Sequence, residues 1–250
     1  MSGGHGGDRL DARLVAQGLV DTRTKAQRLI REGRVLVDGT PVTKPSATPA
    51  PDAVLGVDKG DDYVSRGAYK LVGALDAFGP LGLPDPRGRR CLDIGASTGG
   101  FTDVLLRRGA GHVVALDVGH DQLDARIRRD PRVTDMSGVN IRDVEPDDLP
   151  YAPDYVVSDV SFISLTYVMA PIARLAAPGA QIVLLVKPQF EVGRAKLGRH
   201  GIVERESYRL EALDAVVASA RDHGLTVRAH APSPITGTHG NVEYLLWLTR

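Results

Sequence analysis

From Arg90 to Lys187 short apolar runs alternate with helical stretches, and this rhythm narrows the fold more than any other feature of the chain. The runs "CLDI", "HVVALD", "RVTDM", "YVVSD" and "QIVLLVK" are strand-sized, and helical spacing begins at Phe101, near Gln122 and from Leu165. Strands and helices in alternation predict an α/β fold, a doubly wound Rossmann-like sheet with mainly parallel strands. After a loop at 188–203, a helix over Glu206–Asp222, a strand over Leu225–Ala231 and a last strand over Val242–Leu248 complete it. Ahead of the sheet, "SRGAYKLVGALDAF" has helical spacing through Ala68, Leu71, Leu75 and Phe78.

A smaller α+β unit precedes this domain. "RLDARLVAQGL" puts Leu10, Leu14 and Val15 on one helical face, with Gly18 as a stop. "TRTKAQRLIREG" turns Ala26, Leu29 and Ile30 inward and ends at Gly33. "RVLVDGTPV" alternates and turns at Asp38-Gly39, a strong hairpin signal. From Pro45 to Asp62 proline, small and acidic residues predict mostly linker, with a short strand at Ala53–Val57.

Composition excludes several classes of function. With 31 basic and 31 acidic residues the total charge names no partner, so any basic surface is local. No apolar run approaches a membrane span, and Met1–Gly7 lacks the basic-then-apolar order of a signal peptide. The single cysteine, Cys91, rules out an intrachain disulfide and points to the cytoplasm. One cysteine and scattered histidines give no zinc spacing, so no metal is expected.

"LDIGASTGGFTDVLL" carries the first chemistry. It follows a strand and opens a helix, and Gly95, Gly99 and Gly100 allow a tight turn that a ligand can approach closely. Asp93, at the strand end, would repel a dinucleotide pyrophosphate and welcome a cationic ligand; Ser97 lies within the turn. Asp117 ends the next strand, where a carboxylate can bind ribose hydroxyls, and Asp143 follows "VNIR", where it could bond an adenine amino group. An acidic-glycine turn with an acidic second strand end is the usual form of an S-adenosylmethionine site.

Four charged residues carry the second. Asp159 closes "DYVVSD", Lys187 closes the buried run Ile182–Val186, Glu243 enters the last strand, and Lys70 lies in the helix leading into the domain. Singly, each has a bland reading as a loop cap, a snorkelling lysine, an edge-strand charge or a solvated helix position. Strand carboxyl ends face the ligand crevice in this architecture, so the set converges there. Methyl transfer to a sugar hydroxyl suits it, because an alcohol must be aligned and relieved of its proton as the bond forms. A lysine serves as a base only when neutral, and otherwise as a charge steadying the developing alkoxide; both roles stand open.

These motifs resemble a known family. The catalytic part is similar to FtsJ-type ribose 2′-O-methyltransferases with a Lys-Asp-Lys-Glu tetrad. By that pattern "SRGAYKL" supplies Lys70, "VVSDVSF" Asp159, "LLVKPQFE" Lys187 and "GNVEYLL" Glu243. With "DIGASTGGFTD", "DVSFISL" and "SPITGTHGNVEYL", the chain resembles the TlyA family over nearly its whole length. The resemblance implies an alpha-L RNA-binding domain over 8–56, a linker over 57–64 and a methyltransferase domain over 65–250. It also implies S-adenosylmethionine-dependent 2′-O-methylation of cytidine in 16S or 23S ribosomal RNA, with rRNA or ribosomal subunits as partner. Some members are labelled haemolysins, and the linker here reads "DDYV" where the family often has an arginine and a tryptophan.

Local charge agrees with an RNA partner. Arg23, Lys25, Arg28, Arg31 and Arg34 face one acid, Glu32, between Thr22 and Arg34, and the helix leaves Lys25, Arg28 and Arg31 outside to meet phosphates. Arg194, Lys196, Arg199 and His200 add a basic segment after the lysine strand, expected to act as a mobile flap over RNA. Aromatic residues are only 5% of the chain, so shape and phosphate recognition should dominate over base stacking, with one nucleotide flipped. A non-catalytic ribosome-assembly factor is the alternative, which the complete turn and tetrad oppose. A membrane-active haemolysin is a weaker one, opposed by the lack of a signal peptide and of a membrane span.

Overall fold

The computed structural model describes residues 8–58, 63–237 and 240–250. The glycine-rich start at Met1–Gly7 and the linker residues Lys59–Asp62, including the acidic half of "DDYV", lie outside the described residues. The chain divides into a unit at 1–62 and a unit at 63–250.

In the first unit, α1 (Leu10–Ala16) and α2 (Arg23–Arg31) pack on a three-stranded sheet of β1 (Val35–Val37), β2 (Thr40–Pro41) and β3 (Leu55–Val57), in the order β2-β1-β3. Leu10, Leu14, Val20, Ala26, Leu29, Ile30 and Val35 fill its core. Thr22 caps α2 by accepting the Lys25 N–H at 3.2 Å. The stretch expected to be mostly linker is structured as far as β3. Its carbonyls at Ala50, Pro51 and Ala53 accept from the Arg13 guanidinium, and its Ala47 and Pro45 carbonyls accept from the start of α1. Its prolines and small residues leave those carbonyls accessible to one long side chain, which composition does not reveal.

The second unit begins with α3 (Ala68–Phe78) and then winds through β4 (Arg90–Ile94), α4 (Gly100–Arg107), β5 (His112–Asp117), α5 (Ala125–Arg128) and β6 (Val133–Ser137). It continues through β7 (Tyr155–Ser158), α6 (Thr166–Leu175), β8 (Gln181–Val186), α7 (Pro188–Glu191), α8 (Glu206–Asp222), β9 (Thr226–Pro232) and β10 (Tyr244–Thr249). The seven strands lie in the order β6-β5-β4-β7-β8-β10-β9. The first five are parallel; β10 is antiparallel to both neighbours, β8 and β9. Central strands bury both faces, which explains their unbroken apolar runs. Val183 and Leu185 of β8 face one core with α3 and α4, whereas Ile182, Leu184 and Val186 face the other with α6 and α8.

Two expected elements differ. The helix near Gln122 is the short α5, opened three residues later when Asp124 accepts the Arg126 N–H at 2.8 Å. Pro188 opens a short helix where a loop is expected. It occupies the first position of α7, where its missing N–H is harmless and its fixed φ suits a helix. Among the described residues no helix is long and apolar enough to cross a membrane.

Candidate active site

The sheet topology decides where the charges land. Parallel β7 and β8 release Asp159 and Lys187 one residue past their carboxyl ends. Because β10 runs the other way, with Tyr244 opposite Val186, its preceding residue Glu243 arrives at the same end. The first turn of α3 brings Lys70, and Leu71 and Ala74 of that helix are fully buried in the core.

The four side chains form a line of alternating charge. Lys187 Nζ lies 2.5 Å from Asp159 Oδ1, Asp159 Oδ2 lies 3.7 Å from Lys70 Nζ, and Lys70 Nζ lies 2.7 Å from Glu243 Oε2. Lys70, Lys187 and Glu243 are buried, and such charges persist out of water only when paired. Two neighbours extend the line: Lys187 donates to Ser161 Oγ at 2.8 Å, and Gln189 Nε2 donates to Glu243 Oε1 at 3.3 Å.

The glycine turn sits beside this line. Gly95 has φ +82°, and a Cβ there would stand 3.1 Å from the Asp159 carbonyl, so the turn and the Asp159 loop touch only because the side chain is missing. A Cβ on Gly99, at φ +91°, would meet Leu123 at 2.9 Å. Ser97, at φ +48°, donates its N–H to Asp117 Oδ2 at 2.8 Å, while Gly119 N–H reaches Asp117 Oδ1 at 2.7 Å. Asp117 therefore braces the turn from the next strand end.

Two adjoining cavities open here. One, of about 570 Å³, runs from Gly95 and Ser97 past Asp117 and Gln122 to Asn140, Ile141 and Phe162. The other, of about 270 Å³, is lined by Ser65, Arg66, Gly100, Phe101, Lys70 and Lys187. Gly95, Ser97, Asp159 and Ser161 border both.

Asp93 lies beneath the turn, fully buried, with Oδ2 accepting the Thr102 hydroxyl at 2.7 Å and Oδ1 without a hydrogen-bond partner among the described residues. Burial pushes its carboxyl up to about 7, with the Asp159 and Asp117 charges adding to the rise. A raised carboxyl ionises first in the unfolded chain, so its contribution to stability is present below about pH 4 and is lost as pH rises to about 7. Asp93→Asn, which keeps an acceptor for Thr102, should therefore lessen the loss of stability between pH 5 and pH 8. Urea unfolding followed through Trp247, the single tryptophan, reads this directly.

Other expected site residues are less central. Asp143 is exposed at the end of a 3₁₀ turn over Ile141–Asp143, and its neighbours Asn140 and Ile141 line the larger cavity in its place. In the first unit Arg23 bonds the buried Asp11 together with Arg9 and Gln27, Lys25 pairs with Asp21 at 3.5 Å, and Arg31 reaches Gln27. Arg23 and Arg31 still expose much of their surface, and Lys25 and Arg28 are half-buried. Arg194 and Arg199 stand exposed on two short 3₁₀ turns, whereas Lys196 pairs with Glu211 and lies over the Tyr208 ring. This segment is anchored rather than loose: Val192 and Val203 pack on Ala212, and Asn241 Oδ1 accepts the Val203 N–H at 3.0 Å.

No periodicity points to Ser161 and Phe162, which line the cavities, or to Phe190 and Glu191, which contact the loop that carries them. The available signal is spacing, since Asp159 and Lys187 are each followed three residues later by phenylalanine. Phe162 is 91% exposed at φ +65°, an uncommon conformation for a bulky residue, and packs on Phe190 with ring centroids 5.2 Å apart.

Known proteins share this architecture. A family model for FtsJ-like methyltransferases matches residues 63–250, and one for the S4 domain matches residues 8–55. The chain is 47% identical over 245 residues to the 16S/23S rRNA (cytidine-2′-O)-methyltransferase TlyA of Mycobacterium tuberculosis, covering 96% of this chain and 89% of that one. A solved structure from Streptococcus thermophilus that carries a hemolysin name is 40% identical, with TM-score 0.76, over 97% of this chain and 88% of that one. Aeropyrum pernix fibrillarin, solved with bound S-adenosyl-L-methionine, shares the fold at 16% identity and TM-score 0.52, over 72% of this chain and 75% of that one.

Proposed function

The chain belongs to the FtsJ-like methyltransferases, in the TlyA family with its S4 domain, and from that premise we propose that it methylates the ribose 2′-hydroxyl of cytidine in 16S or 23S ribosomal RNA, with S-adenosylmethionine as donor. One observation carries the reading: the line Lys187–Asp159–Lys70–Glu243 opens on a cavity that shares its border with the glycine turn.

The residues fit such a donor. Gly95 borders both cavities, Asp117 stands at the second strand end, and buried Asp93 has an oxygen to spare beneath the turn. A cation held at the turn would draw the Asp93 carboxyl back down. When bound, the donor supplies an electrophilic methyl group on a sulfonium. Ser97 and Asp117, on the wall of the larger cavity, would hold and orient it, and Asp93 would face its charge from beneath the turn. Asp159 and Ser161 fix Lys187, which would hold the ribose oxygen as its bond to the methyl carbon forms and the sulfur–methyl bond breaks to leave a neutral thioether. The hydroxyl proton goes to Lys187 when it is neutral, or to water when it is an ammonium that steadies the oxygen's charge. Glu243 and Asp159 in turn hold Lys70.

For RNA, exposed Arg23, Arg31, Arg194 and Arg199 supply phosphate contacts that position the strand. Phe162, exposed at the cavity rim, offers a face on which one flipped base stacks. Phe162→Ala should lower kcat/KM for RNA about tenfold, equivalent to one lost base–aromatic stack, with cofactor affinity unchanged in calorimetry.

The overall reading is tested by incorporation of tritiated methyl into 16S rRNA, 23S rRNA and separate subunits. The expected label resists alkali at its own phosphodiester, because ribose methylation removes the hydroxyl that cleaves the strand. No incorporation into any of these would leave an RNA-binding factor without catalysis.

A further inference from the structure

Segments 159–165 and 187–191 meet in three successive contacts on the flank of the charge line. Lys187 reaches Asp159 and Ser161; Phe190 packs on Phe162; and Glu191 forms the last contact. Glu191 Oε2 accepts the Ser164 hydroxyl at 2.5 Å and Oε1 accepts the Leu165 N–H at 2.9 Å, while Ser164 Oγ also lies 2.7 Å from Thr166 Oγ1. No basic side chain is ion-paired with Glu191 among the described residues, and burial pushes its carboxyl up. A carboxyl largely withdrawn from water without a cation is unfavourable unless hydrogen bonds satisfy its oxygens, and for Glu191 both of those donors lie in the loop at Ser164 and Leu165.

What it holds is the loop after β7. That loop carries Asp159 and Ser161, the two partners of Lys187, and Phe162 in its uncommon backbone conformation. Such a conformation persists only where the surroundings over-determine it. Glu191 acts from the helix that begins directly after Lys187, so it fixes the distance between the two segments rather than the shape of either one. We propose that Glu191 is a positioning residue for methyl transfer, setting Asp159, Ser161 and Phe162 against Lys187 without touching the reacting atoms. The inference rests on the reading of Lys187 and Asp159 as the transfer site.

The alternative is that Glu191 only caps the start of α6, which would affect stability and leave turnover alone. Glu191→Ala and Glu191→Gln in the full chain separate these, assayed with S-adenosylmethionine and purified ribosomal subunits. Glu191→Ala should lower kcat about 30-fold, as a loosened reacting geometry does, and leave the KM for S-adenosylmethionine within about twofold. Glu191→Gln keeps an acceptor for the Leu165 N–H and a polar partner for Ser164, and should recover to within about threefold of the parent. Hydrogen exchange gives a readout apart from activity: the Leu165 amide should exchange faster in Glu191→Ala and stay protected in Glu191→Gln.

Parental kcat in Glu191→Ala, or a glutamine variant as slow as the alanine variant, overturns the proposal. If Glu191→Ala does not fold, Ser164→Ala removes the other end of the contact. It should lower kcat about fivefold in a chain that still folds by Trp247 fluorescence, with a modest drop in unfolding midpoint from the lost donor to Glu191, and parental kcat there overturns the proposal equally. Failure of the parent chain itself to methylate rRNA would instead strike the functional reading, and this inference would fall with it.

Discussion

Lys187→Ala is expected to reduce methyl transfer about a thousandfold, the range spanned by loss of a positioned proton acceptor or of a charge-stabilising donor. An ammonium has three donors. Asp159 and Ser161 take two of those of Lys187, so the remaining direction is set by fixed neighbours, and the side chain lines the cavity beside the turn. Preorganisation of this kind needs no reorganisation at the moment of reaction, which is why its loss should appear in kcat rather than in cofactor affinity. Calorimetry should find S-adenosylmethionine binding within about threefold of the parent, because Gly95, Ser97 and Asp117 do not depend on Lys187. Lys187→Arg separates the two chemical roles: an arginine keeps the charge at every accessible pH but cannot take the proton. Measurable residual turnover in that variant favours the fixed charge, and turnover as low as in Lys187→Ala favours the base.

Asp159→Ala should damage both activity and stability. Its carboxylate faces both lysines, at 2.5 Å from Lys187 and 3.7 Å from Lys70, and only 19% of its side chain is exposed. Removing it leaves two buried ammonium groups facing each other, with Glu243 on the far side of Lys70 as the one carboxylate left in the line, a change that destabilises by about 3 kcal/mol in comparable buried pairs. Urea unfolding followed through Trp247 should show that loss in the second unit, and single-turnover transfer should fall by about the same thousandfold as for Lys187→Ala. Because the two residues act as one unit, the double variant should transfer methyl no more slowly than the worse single variant. Additive losses would mean that they serve separate steps.

Much of this was legible from patterns with one physical cause. Strands buried on both faces must be apolar throughout, so β4, β5, β7 and β8 stand out in the sequence, and a turn that needs positive φ shows its glycines. The tetrad was legible because a charge that ends a buried strand needs a reason. Placement of β10 between β8 and β9 was not legible, since pairing partners leave no mark on a strand's own composition; yet it is this placement that sets Glu243 beside Lys70. Residues 45–52 read as linker because their order comes from Arg13, more than thirty positions away, whereas the strand expected at Ala53–Val57 is found as β3. The short α5 was displaced from its expected position because Asp124, rather than the apolar spacing, sets its start. Arg23 and Lys196 read as free positive charge, whereas Asp11 and Glu211 engage them, a pairing that only the folded chain reveals. Phe162 and Glu191 escaped notice for a related reason. An exposed phenylalanine and a glutamate in a short helix acquire meaning only from the loop they join.

The most direct test of the account is nucleoside mass spectrometry of rRNA treated with S-adenosylmethionine and either the parent chain or Lys187→Ala. The parent should yield 2′-O-methylcytidine and the variant none above background. Equal yields from both proteins, or methyl groups on bases with the ribose unmodified, would contradict it.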